Sequence, residues 1–226
     1  MKTGGFRLAP ARQPLWLRVA LLVGALAATA VAAGTLRGSL VGFIAINGLA
    51  DAALLALVNL YAPQCLKLGP LRGRLRAAAL AGALVVGAAA SLAVNLFNAV
   101  GPQASAGRYQ FDIAPAAVHG AAGQAILFAA ICVVAPLAEN AFFFGLPVLL
   151  ERRRGRWRWL RHALVAAGLV LFVLAHGPGS WVAAALYLIP AALVLAAFLR
   201  WGYATSVVLH GAFNAAGFYL LPLLFR

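Results

Sequence analysis

Residues 135–145, APLAENAFFFG, place one carboxylate in the middle of an apolar segment that runs from about residue 121 to residue 150. An ionisable group at the centre of a bilayer costs about 3 kcal/mol or more, so the residues found there usually serve a function. The chain has only four acidic residues, which are Asp51, Asp112, Glu139 and Glu151. Glu139 is therefore the first candidate functional residue, and the question is which polar groups meet it.

The composition is that of a membrane protein. Of the 226 residues, 65% are hydrophobic and 10% are charged, with a mean hydropathy of +0.95. Soluble domains have about 25% charged residues. The sequence therefore predicts an all-α, polytopic transmembrane helical bundle, with the lipid bilayer as its surroundings. The net charge of +14 lies in short stretches between apolar runs, so nucleic acid is not an expected partner. Cys65 and Cys132 are expected to be unpaired thiols.

Apolar runs separated by Gly, Pro and basic residues predict about seven spanning helices. The first run is long enough to span, so we expect an uncleaved helix there rather than a cleaved signal peptide. Pro136 is expected to kink the long fourth helix, and a re-entrant eighth segment within 101–120 is an alternative. The predicted helices are 15–34, 39–62, 76–100, 121–150, 161–177, 180–200 and 203–224.

The basic residues predict the orientation. With the N-terminus inside, 15 of the 18 Lys and Arg residues fall on the inner side, which the positive-inside rule favours. We therefore expect a cytoplasmic N-terminus. The richness in Ala, Gly and Arg is typical of a multi-pass protein of a bacterial inner membrane.

Four polar residues on three predicted helices fall at similar depth. A rise of 1.5 Å per residue puts Glu139, His210 and Asn214 within about 7 Å of one depth, with His176 slightly beyond. His210 and Asn214 are four residues apart and share a helix face. Such a set permits two chemistries: Glu139 acts on water as a general base, or a metal held by the carboxylate and imidazoles activates the water. Asn214 is then a candidate donor to an oxyanion.

Each of these residues also has a purely structural interpretation. Histidine and asparagine side chains often join transmembrane helices by hydrogen bonds, and a buried glutamic acid can stay protonated. Asp51 is a second intramembrane acid, with Asn47 one turn earlier. We interpret Asp51 as part of a buried structural network that Asn95 and Asn98 complete.

Three motifs in the C-terminal half follow a recognisable order. They are Glu139-Asn140-x-x-Phe143-Phe144-Gly145, Phe172-x-x-x-His176 and His210-x-x-x-Asn214. The set resembles the CPBP family, the CAAX-prenyl-protease and bacteriocin-processing intramembrane proteases also called Abi. Its pattern is Glu-Glu-x-x-x-Arg-Gly, then Phe-x-x-x-His, then His-x-x-x-Asn or Asp. This chain departs from the pattern at Asn140 and Phe144.

The resemblance implies N-terminal transmembrane helices at 1–120 and a catalytic helical core at 121–226. It implies a glutamate-dependent endopeptidase that cleaves a membrane-associated or CAAX-like protein. Glu139, His176, His210 and Asn214 would be catalytic, and the first three would hold a divalent metal such as zinc if one is bound. Two alternatives stay open: a weakened relative that binds a partner in bacteriocin immunity or protein maturation, and a small transporter that uses Asp51 and Glu139 as proton or cation sites.

Overall fold

The computed structural model describes residues 40–61, 74–100, 120–145, 147, 158–176 and 180–220. Three sequence predictions lie outside these residues: the helix at 15–34, the re-entrant segment within 101–120, and the state of Cys65. Cys132 is a free, buried thiol, as expected.

The described residues form helices and contain no strand, which confirms the all-α prediction for them. Each of the last six predicted helices has a counterpart, whereas the total of about seven is not confirmed. The helix predicted at 203–224 is described only as far as residue 220. The helices are α1 (Leu40–Tyr61), α2 (Arg74–Val100), α3 (Ala121–Gly145), α4 (Arg158–Ala175), α5 (Trp181–Trp201) and α6 (residues 203–220).

Three of these helices are long and apolar enough to cross a membrane: α2 over Ala77–Phe97, α3 over its whole length, and α5 over its whole length. The outward faces are apolar as well; on α2, Leu84, Val85 and Phe97 are each 53–68% exposed. In a soluble protein such faces would be polar, because they would meet water. The chain is therefore a membrane protein, and these side chains face the lipid.

Helix α3 is irregular around Pro136. Residues Ala129–Val134 are π-helical, and the backbone N–H of Ala135 bonds the carbonyl of Ala130, five residues earlier. In that register the carbonyl of Ile131 would bond the N–H of residue 136, which proline lacks. The side chain of Asn214 on α6 donates to this carbonyl instead, at 2.9 Å. The expected disturbance at Pro136 is thus a π-helical turn that ties α3 to α6.

Glycines bring three pairs of helices into backbone contact. A Cβ atom at Gly87 of α2 would collide with the carbonyl oxygen of Leu209 on α6, and one at Gly211 of α6 with that of Cys132 on α3. Gly168 of α4 meets the carbonyl oxygen of Phe143 on α3 in the same way. Small residues are common at membrane helix contacts because they let the backbones approach closely. These contacts hold α2, α4 and α6 against their neighbours.

The junction of α5 and α6 sets the position of His210. Trp201 ends α5 and Tyr203 begins α6, with Gly202 alone between them at φ 92°. A positive φ of this size favours glycine. The hydroxyl of Tyr203 donates to the carbonyl of Leu137 on α3, at 2.6 Å. This hydrogen bond fixes the start of α6 about two turns before His210.

Candidate active site

Glu139, His176 and His210 meet at one point inside the bundle. The Nε2 atom of His176 lies 3.8 Å from Oε2 of Glu139, and the Nε2 atom of His210 lies 3.7 Å from the same oxygen. The three side chains come from α3, from the residue after α4, and from α6. Their predicted convergence is confirmed; their catalytic roles stay predictions.

His176 has a defined tautomer. Its Nδ1 atom lies 2.7 Å from the backbone carbonyl oxygen of Phe172, one turn earlier on α4. Since a carbonyl oxygen only accepts, Nδ1 carries the proton and donates it. The ring of His176 also packs between Phe172 and Tyr187, with centroid distances of 4.5 and 5.1 Å. The neutral imidazole therefore presents the Nε2 lone pair to Glu139.

His210 is oriented through a chain of hydrogen bonds that ends on a backbone carbonyl. The hydroxyl of Ser206 donates to the carbonyl of Tyr203 at 2.7 Å, and its oxygen accepts from Nδ2 of Asn140 at 3.3 Å. Oδ1 of Asn140 then accepts from Nδ1 of His210 at 2.9 Å. Because the serine proton is committed to Tyr203, the amide of Asn140 has only this orientation. His210 is thus protonated at Nδ1 as well.

With both imidazoles neutral and the Glu139 carboxyl ionised, this arrangement directs three hydrogen-bond acceptors at one point. The Nε2 lone pairs of both imidazoles face Oε2 of Glu139, which is buried and bonded to no described residue. The separations of 3.7 and 3.8 Å exceed a direct hydrogen bond, and a polar gap of this size suits a bridging water. A buried acceptor left unpaired costs about 1–3 kcal/mol. The site therefore favours a species that donates in several directions, and a water molecule is the simplest.

The distances between the side-chain atoms of these three residues test whether they could bind a metal ion as they are placed. Bond lengths near 2.1 Å place tetrahedral zinc ligands about 3.4 Å apart. The carboxylate oxygen and the two nitrogens are wider apart than this, at 3.7 and 3.8 Å. In the described part of the chain, no three His, Cys, Asp or Glu side chains have the spacing of a metal site. The residues as placed do not fit the metal, which stays a prediction from the resemblance.

Asn214 lies at the edge of the same site, but its amide is partly engaged. One N–H of Nδ2 donates to the carbonyl of Ile131, and the amide nitrogen carries a second N–H. Its predicted role as an oxyanion donor therefore rests on that second hydrogen. The contact that the structure describes is a helix-to-helix bond.

Asn140 is the residue whose role the sequence did not reveal. It is fully buried and joins Ser206 to His210. The sequence marked it only as a departure from the CPBP pattern, where a glutamate stands. Its position next to Glu139 was the available signal, since a carbonyl oxygen there can hold an imidazole as a carboxylate would.

The predicted network around Asp51 is different in the structure. Asn95 donates to the carbonyl and the hydroxyl of Ser91, on its own helix, rather than to Asp51. The side chains of Asn47 and Asn98 are not among those that the structure describes. Asp51 is 7% exposed and lines the cavity that contains Glu139.

That cavity has a volume of about 170 Å³. Its polar lining includes Asp51 and the cluster of Glu139, His176 and His210. The remaining wall is mostly apolar and comes from α1, α3, α5 and α6, including Ile131, Val194, Phe213 and Phe218. The cavity can thus hold a small apolar segment next to a polar reactive centre.

Comparison with known families agrees with this site. Residues 121–216 match the family model described as type II CAAX prenyl endopeptidase Rce1-like. These residues are similar to the Rce1-like, CPBP family. The match confirms the resemblance and covers Glu139, His176, His210 and Asn214. No curated protein and no solved structure matches the chain.

The match to the Rce1-like model supports an intramembrane endopeptidase of the CAAX type at the level of the family. It also agrees with a membrane-embedded chain that acts on a membrane-associated substrate. The Rce1-like match begins at residue 121, so α1 and α2 lie outside it.

The amide of Asn140 gives the first testable prediction for this Rce1-like site. We expect Asn140→Leu, which is close in size, to lower the free energy of unfolding by about 1–3 kcal/mol, because the Nδ1–H of His210 and the hydroxyl oxygen of Ser206 each lose a buried hydrogen-bond partner. Peptidase activity should fall with it, since nothing then fixes the His210 tautomer. Thermal unfolding in detergent and peptide cleavage measure the two effects. Ser206→Ala is the control, because it removes only the part of the hydrogen-bond network that is farther from His210. It should lower both the stability and the activity by less than Asn140→Leu does.

Proposed function

We propose that the chain is a bacterial inner-membrane endopeptidase in which Glu139 activates a water molecule to hydrolyse a peptide bond of a membrane-associated or CAAX-like protein. The observation that supports it best is the meeting of one carboxylate oxygen and two imidazole lone pairs at a buried point. A purely structural cluster would pair donors with acceptors. This cluster instead leaves three acceptors facing the same small volume.

In the proposed reaction, the water bonds Oε2 of Glu139 and an imidazole Nε2. Glu139 takes a proton from it as a general base, and the water oxygen attacks the carbonyl carbon of the substrate. The second N–H of Asn214 is a candidate donor to the resulting oxyanion. Asn140 and the carbonyl of Phe172 keep both Nδ1 atoms occupied, so that both Nε2 atoms stay directed at the water.

The substrate class follows from the surroundings. The cavity wall beyond the polar groups is mostly apolar, and the helices that form it are those of a membrane protein. An apolar or membrane-anchored peptide segment would lose little on leaving lipid for such a cavity. The distribution of basic residues supports a cytoplasmic N-terminus.

Both histidines are tested by substitution. We expect His176→Ala and His210→Ala each to lower cleavage of a quenched fluorescent peptide by about 10²-fold or more, which is the usual range for a proton-transfer group. The assay uses purified protein in detergent, with and without a chelator. His162→Ala, on the exposed start of α4, is the control and should cleave normally.

The outcomes separate the candidate functions. Cleavage that survives both histidine substitutions would contradict the proposed site. No cleavage by the wild type would favour a partner-binding relative, to which the departures at Asn140 and Phe144 point. If the chelator abolishes cleavage and added zinc restores it, the result would support a metal-dependent mechanism at this site.

A further inference from the structure

Peptide hydrolysis needs a second proton transfer, to which no residue has been assigned so far. The leaving amine must gain a proton as the carbon–nitrogen bond breaks, because an amide anion is far too basic to leave. In the CPBP pattern a second acid follows the first. Here that position is Asn140, whose amide is bonded at both ends and carries no acidic proton.

Asp51 is a second carboxyl group in the same cavity. It lies on α1, which packs against residues 135–139 of α3, and Val58 of α1 packs with Ala141 and Tyr203. Asp51 and Glu139 both line this cavity, together with His176. No hydrogen bond joins Asp51 to another described residue, so its oxygens are available to a molecule in the cavity.

Two largely buried carboxyl groups that line one cavity do not both ionise readily, because each charge is poorly solvated and repels the other. A single proton on one of the two carboxyls relieves that repulsion. The pair then has one member that can accept a proton and one that can donate it, which is what hydrolysis of an amide requires.

We propose that Asp51 is a catalytic residue of the endopeptidase and that it donates the proton to the leaving amine nitrogen. This inference rests on the proposed function of Glu139. It adds to the site a residue from α1, which lies outside the matched residues 121–216.

The proposed steps balance as follows. Glu139 takes one proton from water while the water oxygen forms a bond to the carbonyl carbon. The carbon–nitrogen bond of the tetrahedral intermediate then breaks, and its electron pair stays on the nitrogen, which takes the proton of Asp51. The carboxylate of Asp51 regains a proton from the carboxylic acid of Glu139. The products are a carboxylic acid and an amine, and both side chains return to their starting states.

The test compares two leaving groups at the mapped cleavage position of the quenched peptide. One substrate has the natural amide, and the other has a thioester, whose thiolate leaves without a proton. We expect Asp51→Asn to lower kcat for the amide by about 10²-fold and kcat for the thioester by less than about threefold. Asp51→Glu, which keeps the acid, should restore part of the amide cleavage. Asn59→Ala, a change at an exposed residue of α1, is the control and should leave both rates unchanged.

Equal losses of amide and thioester cleavage in Asp51→Asn, or no loss in either, would overturn the role of Asp51. If Asp51→Asn does not fold, Asp51→Glu is measured in its place, and losses of amide and thioester cleavage that are equal in that variant would overturn the role too. These results leave the role of Glu139 standing as long as Glu139→Gln cleaves neither substrate. Cleavage of both substrates by Glu139→Gln would instead remove the proposed function itself.

Discussion

Glu139→Gln is expected to abolish peptide cleavage and to leave membrane insertion and folding intact. Glutamine keeps the size of the side chain and one oxygen that can accept a hydrogen bond, but it cannot take a proton from water. General-base catalysis contributes about 10²–10⁴-fold to a rate. We expect kcat for a quenched fluorescent peptide to fall by at least that range, while thermal unfolding in detergent stays close to wild type.

The stability measurement is essential to that experiment. The change to glutamine also removes the negative charge that lies next to the two imidazole Nε2 atoms. The side-chain N–H of the glutamine can donate a hydrogen bond to one of those two atoms. Glu139→Gln can therefore unfold at the same temperature as wild type or at a higher one. A variant that is folded and inactive supports the general base. Cleavage equal to wild type would exclude it.

Phe144→Arg is expected to destabilise the protein severely. Phe144 is 1% exposed, and its ring lies 5.2 Å from that of Phe172, in the core between α3 and α4. An arginine inside a membrane protein costs about 3 kcal/mol or more, and the packing of the ring is lost in addition. The loss should appear as a large drop in unfolding temperature and in the amount of folded protein. Phe144→Leu, which stays apolar, is the matched control and should cost much less.

The same residue changes the expected result of restoring the family pattern. The sequence alone suggests that Asn140→Glu with Phe144→Arg should raise turnover. In the structure, Phe172 packs against both Phe144 and the rings of His176 and His210, and Asn140 already supplies an acceptor for His210. We now expect the double variant to be more stable than Phe144→Arg, since the two charges can pair, and to turn over more slowly than wild type. Turnover above wild type would reinstate the first expectation.

Much of the fold followed from the sequence because chain breakers and apolar runs are local signals. Gly202 separates α5 from α6 as predicted, and the limits of α1 and α2 agree with the predicted 39–62 and 76–100 within two residues. The prediction for residues 121–150 was less complete. It placed a disturbance at Pro136, but a π-helical register depends on partners such as Asn214 that belong to another helix.

The sequence predicted which residues form the candidate site, but it did not predict how they are hydrogen-bonded to one another. Their similar depth along the helices predicted that Glu139, His176 and His210 lie close together. In the structure both imidazole Nε2 atoms lie within 3.8 Å of Oε2 of Glu139. Hydrogen-bond direction could not be predicted, because it is set by groups far apart in the chain, such as Ser206 and Asn140. Asp51 was assigned to a structural network for the same reason: polar residues on α1 and α2 gave no sign of which helix they face.

The three contacts between a glycine and a carbonyl oxygen also determine where a peptide can enter. Opening the seam between α2 and α6, between α4 and α3, or between α6 and α3 would separate backbones that touch directly. Gly48 of α1 also lines the cavity, and a Cβ placed there would meet no atom within 4 Å. At Gly48, therefore, the wall of the cavity is not closed by a contact between a glycine and a carbonyl oxygen, in contrast to those three seams.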